Sequence, residues 1–273
     1  MNDTVDILLD MLKKDSSDCQ ALETNGCSLT QKKNMIRSLM NVRMPKTVPE
    51  DLLRCQDTYL QNELAAKGTV TLSDIPSLKA QYNSLFPHAE RLSLWQGDIT
   101  RLKVGAIVNA ANSQMLGCFV PCHRCIDNAI HSAAGIQLRE ECSHIMKNRR
   151  MRYGREYEEP VGTATLTKAY NLPCKYVIHT VGPIVYGNLN DSLRQDLRNC
   201  YKSVLQCCLE NEIPSVAFCC ISTGEFHFPN DEAAKIALET VTDFLDTHND
   251  SFERIIFNVF KDSDREIYCN IIG

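Results

Sequence analysis

Cys118, Cys122, His123 and Cys125 crowd into one short stretch of this 273-residue chain, LGCFVPCHRCIDNAIH at 116–131. Cys118, His123 and Cys125 fall at C-x4-H-x-C, close enough for one loop to supply three soft ligands. Two thiolates and an imidazole suit zinc, at roughly 2.0–2.3 Å per bond. Structural zinc normally takes four protein ligands. Three ligands with an open position is the catalytic arrangement, which lowers the pKa of bound water to ~7 or polarises a hydroxyl. Cys122 is the candidate for a fourth ligand, although Pro121 and the adjacent His123 make simultaneous coordination awkward. The competing reading is chance, because the chain holds 14 cysteines.

Other segments of chemical interest follow β-prone runs. Asp98 and Ile99 come after LSLWQ; a carboxylate there can accept from an exocyclic amine, though Gly-Asp is also an ordinary turn. In VNAAN (108–112) two alanines let a ligand approach the backbone. Its two carboxamides can donate to and accept from sugar hydroxyls, or simply hold their own turn. In HTVGP (179–183), Gly182 permits close approach of a ligand or a neighbouring loop. Ser222, Thr223, Gly224, Glu225 and Phe226 form a small-residue turn ahead of a helix, an anion cradle built from backbone N–H groups. No Lys follows the glycine, so this is not the nucleotide-hydrolase phosphate loop. Together these segments point to a nucleotide diphosphate held by backbone amides.

The elements that must position these loops alternate. LSLWQ, AIVN, TATLTKAY, KYVIHTV, SVAFCCI and RIIFNVF read as strands. Helical spacing marks Ile126, Ile130, Ala133, Ala134 and Leu138, then Leu193, Leu197, Tyr201, Val204 and Cys208, then NDEAAKIALETVTDFLDTHN. Such alternation gives a sheet covered by helices on both faces, with ligands at the carboxyl ends of its strands. Residues 1–85 read instead as a helical extension, and 86–273 as the α/β domain. The extension has apolar stripes at Val5, Leu8, Leu9 and Leu12, at Met35, Ile36, Leu39 and Met40, and at Leu52, Leu53, Tyr59, Leu60 and Leu64. Nothing in it gathers groups for chemistry, so it reads as an appendage packed on the main domain.

Composition bounds the function. Apolar residues make up 44% of the chain, enough for an ordinary core, and the net charge of −5 gives no footprint for nucleic acid. The only basic cluster, KNRRMRYGR at 147–155, is followed at once by acidic EYEEP and reads as a solvated loop. No run reaches the ~18 apolar residues of a membrane span, and the acidic amphipathic N-terminus is unlike a secretory signal. Paired cysteines inside predicted elements (Cys207-Cys208, Cys219-Cys220) fit reduced thiols in a cytoplasmic core better than disulfides.

VNAAN, HTVGP and STGEFHFP, in this order over residues 90 to 265, resemble the signatures of the macrodomain, a module that binds ADP-ribose. The frame of the hydrolytic macrodomains is kept at Asp127, Ile130-His131 and Ala133-Ala134-Gly135. Where those have a glycine run, this chain has the longer CFVPCHRC. That departure is similar to the zinc-containing, protein-ADP-ribose-hydrolysing macrodomains, which some microbes encode beside a sirtuin-type ADP-ribosyltransferase and lipoyl-carrier proteins. That branch also has a helical N-terminal extension. The resemblance implies a three-layer α/β/α fold with a mixed central sheet. It implies one zinc per chain, held by Cys118, His123 and Cys125. Asp98 would face the adenine amine, with Ile99 lining its pocket. Asn112, Ile126 and Asp127 would surround the distal ribose, and residues 222–226 would wrap the diphosphate, with Phe226 against that ribose.

The implied substrate is a mono-ADP-ribosylated protein, with a lipoyl carrier as the candidate, joined through a carboxylate ester at the anomeric carbon. Asp127, helped by Asn112, would orient or deprotonate the attacking water. Asp127 could also serve only as an N-terminal helix carboxylate, worth ~0.3–1 kcal/mol. His131 and His179 read as packed and hydrogen-bonded rather than catalytic. In Glu225 the backbone N–H matters more than the carboxylate. The alternative is a reader module that binds ADP-ribose without cleaving it, its zinc bracing the loop; a zinc-stabilised scaffold for protein partners is a third.

Overall fold

The computed structural model describes residues 2–16 and 22–273. Three helices come first, α1 (Asn2–Asp15), α2 (Leu29–Val42) and α3 (Glu50–Lys67). Their ends follow local chemistry. Ser28 and Gln31 form a reciprocal capping box at the start of α2, and Pro49 and Gly68 bracket α3. The three apolar stripes bury one another, with Leu8, Leu9, Ile36 and Leu52 at 0–2% exposure. Ile136, from a helix of the α/β layers, completes this small core. The extension is therefore docked through its own hydrophobic cluster.

The α/β layers begin earlier than the helical stripes suggest. After α3 come β1 (Val70–Thr71), α4 (Leu78–Tyr82), β2 (Leu92–Gln96), β3 (Leu102–Lys103) and β4 (Ala106–Ala111). β1 and β3 form a small parallel pair, and Ile75 and Leu78 already belong to the large core. Next follow α5 (Ile126–Ala134), α6 (Ile136–Tyr153), β5 (Ala164–Lys168) and β6 (Tyr176–Val181). The chain closes with α7 (Asp191–Glu210), β7 (Ser215–Phe218), α8 (Asn230–His248), β8 (Arg254–Val259) and α9 (Asp262–Ile272).

The main sheet runs β2-β8-β7-β4-β6-β5, parallel throughout except that β5 lies antiparallel on β6 at one edge. This is the expected mixed sheet. Successive side chains of a strand point to opposite faces, and β6 shows both faces covered. His179 meets Cys142 of α6, while Thr180 meets Cys200 of α7. Every described cysteine is a free thiol, and several sit deep in this core. None of the described helices is long and apolar enough to cross a membrane.

Two elements differ from the sequence reading. The basic cluster at 147–155 is mostly the last part of α6, which runs to Tyr153 before Gly154 ends it. Lys147, Arg149, Arg150, Met151 and Arg152 are good helix formers, with no breaker ahead of Gly154, and Arg149 turns inward to pair with buried Glu159. The segment after RIIFNVF folds as α9, whose Tyr268 and Ile272 are buried against the sheet.

Candidate active site and metal centre

The carboxyl ends of the parallel strands open into one large cleft of about 1320 Å³. Asp98, Ala110, Asn112 and Asp127 line it, together with the 222–226 loop. The helical extension lines it as well, through Lys33 and Arg37 of α2 and Tyr59, Glu63 and Lys67 of α3. The sequence marked none of those residues for the site; Tyr59 read only as part of an apolar stripe.

The ligand atoms of Cys118, His123 and Cys125 lie within 4.8 Å of one another. Cys122 is separated from them. Its backbone sits in the left-handed region at φ 52, which turns its Sγ to Ser38 Oγ (3.2 Å) and the Asn34 carbonyl (3.4 Å) of α2. Among the described residues, three ligands therefore converge. One observation fits a soft cation there. The Nδ1 of His123 is buried with no hydrogen-bond partner among the described residues, an arrangement that a bound ion would satisfy. Burial, reinforced by neighbouring Cys118, pushes the Cys125 thiol up to about 12, so without a cation it stays protonated. The other ring nitrogen, Nε2, stands 3.6 Å from Glu225 Oε1, so the metal loop and the 222–226 loop meet at the mouth.

Asp127, in the first turn of α5, is 6% exposed. Oδ1 accepts a 2.8 Å hydrogen bond from Asn109 Nδ2; Asn112 Nδ2 stands 3.5 Å from Oδ2. Burial raises its pKa to about 6, against the opposing effects of Asn109 and the Arg139 guanidinium. Asn109 and His179 face each other across β4 and β6, and the amide lies 3.1 Å from His179 Nδ1. His179 Nε2 is 3.0 Å from Thr167 Oγ1. Thr167 in turn donates to the Val177 carbonyl, so the imidazole holds its proton on Nε2. His131 packs beneath the backbone of Gly117, where a Cβ would come within 2.8 Å of the ring and φ is +78. Among the described residues both its ring nitrogens lack hydrogen-bond partners, although Nε2 stands 3.5 Å from Asp127 Oδ1. Burial depresses the pKa of both histidines, that of His179 to about 3, so they are neutral packing groups.

At the far end of the cleft, Asp98 Oδ1 accepts from Thr100 N (3.0 Å) and Oγ1 (2.6 Å), while Oδ2 pairs with Lys67 of α3 at 3.3 Å. Burial works against its ionisation, but Thr100 and Lys67 together hold the pKa below the usual carboxylate value. Ile99 is buried beside it. The 222–226 loop is anchored by Phe228 N to the Ser222 carbonyl (3.0 Å) and by Val185 N to the Phe226 carbonyl (2.9 Å). Among the described residues, no acceptor within the chain takes the N–H groups of Gly224, Glu225 or Phe226. They stay available to an anion. Gly182 serves the neighbouring loop: a Cβ there would run into Ser222 Oγ and come within 2.9 Å of Ile221 Cγ2.

A family model for the Macro domain matches residues 108–237. The sequence is 48% identical to a protein-ADP-ribose hydrolase of Treponema medium over 89% of this chain and 88% of that protein. The chain belongs to the macrodomain family. A protein-ADP-ribose hydrolase of Staphylococcus aureus is 43% identical over 86% of this chain and 82% of its own. Among solved structures, the Trypanosoma brucei macrodomain in complex with ADP-ribose is similar at TM-score 0.65 and 28% identity, covering 90% of this chain and 96% of that chain. An Oceanobacillus iheyensis macrodomain with ADPR is 36% identical at TM-score 0.59, covering 66% and 90% respectively.

In this macrodomain the predicted site residues converge on one cleft: Asp98 and Ile99, Asn112, the three metal-loop residues, Ile126 and Asp127, and residues 222–226. Asn109, which orients Asp127, was visible only as one of two carboxamides in VNAAN. Strand alternation within a motif at a strand end would have marked it as pointing into the fold. Arg139 carried no such signal. It lies buried, donating to the carbonyls of Leu116 (2.6 Å), Met40 (3.0 Å) and Asn41 (2.7 Å), with its guanidinium 4.2 Å from the centre of the Phe119 ring.

Proposed function

We propose that this macrodomain is a zinc-dependent hydrolase that releases ADP-ribose from mono-ADP-ribosylated protein, cleaving an ester between the distal ribose and a protein carboxylate. The relatives named protein-ADP-ribose hydrolase support the reaction class. The observation that carries the reading is the buried carboxylate of Asp127 opening to the same cleft as the three-ligand group of Cys118, His123 and Cys125.

Each part then has a task. Asp98 accepts from the adenine amine, and the free N–H groups of 224–226 hold the diphosphate. Asn112 and Phe226 set the distal ribose against Asp127. Because Asp127 Oδ1 is committed to Asn109, Oδ2 is the oxygen that orients the attacking water and takes its proton as the ester opens. Bound zinc, held by the two thiolates and His123, would supply Lewis acidity at the distal ribose.

The test is single-turnover release of ADP-ribose from an ester-linked protein substrate, beside metal analysis. The wild type should carry about one zinc per chain, as a single site implies. Asp127→Asn keeps size and loses basicity, so turnover should fall ~10²–10⁴-fold while zinc is retained and free ADP-ribose still binds. Near-wild-type turnover would remove Asp127 from the chemistry. Binding without any release by the wild type would make the protein a reader instead.

A further inference from the structure

We propose that α2 of the helical extension is the outer clamp of the metal loop, and that Arg37 is the positioning residue that sets His123 for the metal. The inference rests on the metal assignment above. Arg37 donates from Nε and Nη2 to Asn128 Oδ1 at 3.2 and 2.7 Å, and from Nη2 to the His123 carbonyl at 3.0 Å. Asn128 is fully buried at the start of α5 and touches the rest of the loop. Its Nδ2 donates to the carbonyls of Val120 (3.0 Å) and Cys118 (3.5 Å), and its N–H points to Cys125 Sγ at 3.4 Å. Arg37 and Asn128, the latter through its carboxamide and its backbone N–H, thus contact all three ligand residues.

The same helix fixes the bend between Cys118 and His123. Asn41 Oδ1 accepts from Cys122 N at 2.9 Å, and Ser38 holds the Cys122 thiol out of the cluster. Without α2, Asn128 Oδ1 would keep only Ser132 Oγ, at 3.4 Å. A buried amide oxygen that loses its donors reorients to find others, and Asn128 cannot turn without releasing the Cys118 and Val120 carbonyls. Groups that orient metal ligands from outside typically matter 10–100-fold in metal affinity. The forked geometry also makes lysine a poor substitute here.

The experiment uses the full chain, loaded with zinc, and follows metal transfer to a chromophoric chelator. Hydrogen–deuterium exchange across residues 118–128 is read in parallel on the metal-free protein. Arg37→Met should release zinc roughly 10–100-fold faster and exchange faster across that loop even without metal. Arg37→Lys should fall between it and wild type, and His123→Ala, which removes a ligand, marks complete loss. Lys32→Ala breaks only the α2 ion pair with Asp6 and should match wild type in both readouts. If Arg37→Met lowers thermal stability but leaves zinc release and loop exchange at wild-type values, the clamp is overturned. If wild type binds no zinc, the metal assignment falls; loop exchange then decides alone, and unchanged exchange in Arg37→Met overturns the clamp.

Discussion

At Asp98 one carboxylate carries two duties on separate oxygens. Oδ1 caps the turn through Thr100, and Oδ2 faces Lys67 and the cleft. Asp98→Ala removes both. One lost charge-assisted hydrogen bond is worth ~1.5–3 kcal/mol, so ADP-ribose affinity should fall about ten- to a hundredfold. The lost cap should also lower stability by roughly 0.5–2 kcal/mol. Titration calorimetry and denaturant unfolding separate the two effects. A stability loss with unchanged affinity would show that the carboxylate is only a capping group.

Two loops that follow different strands must pack backbone to side chain to form the cradle proposed to hold the diphosphate. The loop after β6 brings Gly182 against Ser222, and Val185 ties down Phe226. Gly182→Ala places a methyl group where Ser222 Oγ and Ile221 already sit, and overpacking of this kind typically costs ~1–3 kcal/mol. The strain falls on the loop whose N–H groups are proposed to hold the diphosphate, so on that reading ADP-ribose binding should weaken roughly five- to a hundredfold. Metal content should stay at the wild-type level, because the metal loop is braced from α2 and α5. Calorimetry with wild-type affinity in the variant would show that the cradle tolerates a displaced 222–226 loop.

Beneath the cleft, the large core buries a pair of neutral histidines whose charging is coupled to unfolding. His179 faces Asn109, Thr167 and Cys142; His131 faces Asp127 and Gly117 with Arg139 nearby, and the two rings are 6.0 Å apart. The folded pKa of His179 is depressed to about 3 and that of His131 lies well below its ordinary 6.5. Below pH 6.5 the unfolded chain therefore binds protons that the folded chain refuses. Their stabilisation is complete above that pH and is lost as pH falls, by ~1.4 kcal/mol per unit for each group. Asp127 has the opposite sign: its pKa of about 6 in the folded state exceeds the ordinary 3.8, so it offsets one of the two protons between those values. The net effect of these three groups in metal-free protein is a loss of stability as pH falls below 6.5, partly offset by Asp127. Urea unfolding at a series of pH values should show the fall, and His179→Gln should flatten it. An identical pH dependence in that variant would mean that His179 is not held neutral.

The sequence by itself determined whatever depends on near neighbours along the chain. Cys118, His123 and Cys125 come together because a few residues of loop cannot separate them far. Capping residues fixed α2 and α3, and apolar alternation fixed the strands whose carboxyl ends carry the site. The tertiary structure decided what crosses between elements. Strand register put Asn109 beside His179, and packing of α5 against β4 brought Asp127 under Asn109. A hydrophobic stripe records that a helix face is buried but not what its polar face will meet. Thus nothing in the sequence singled out Arg37, Lys67 and Glu63, which line the cleft because of how α2 and α3 pack. Cys122 belongs to the same class: its type and spacing made it a fourth-ligand candidate, and only the polar groups of α2 at Asn34, Ser38 and Asn41 turned it away.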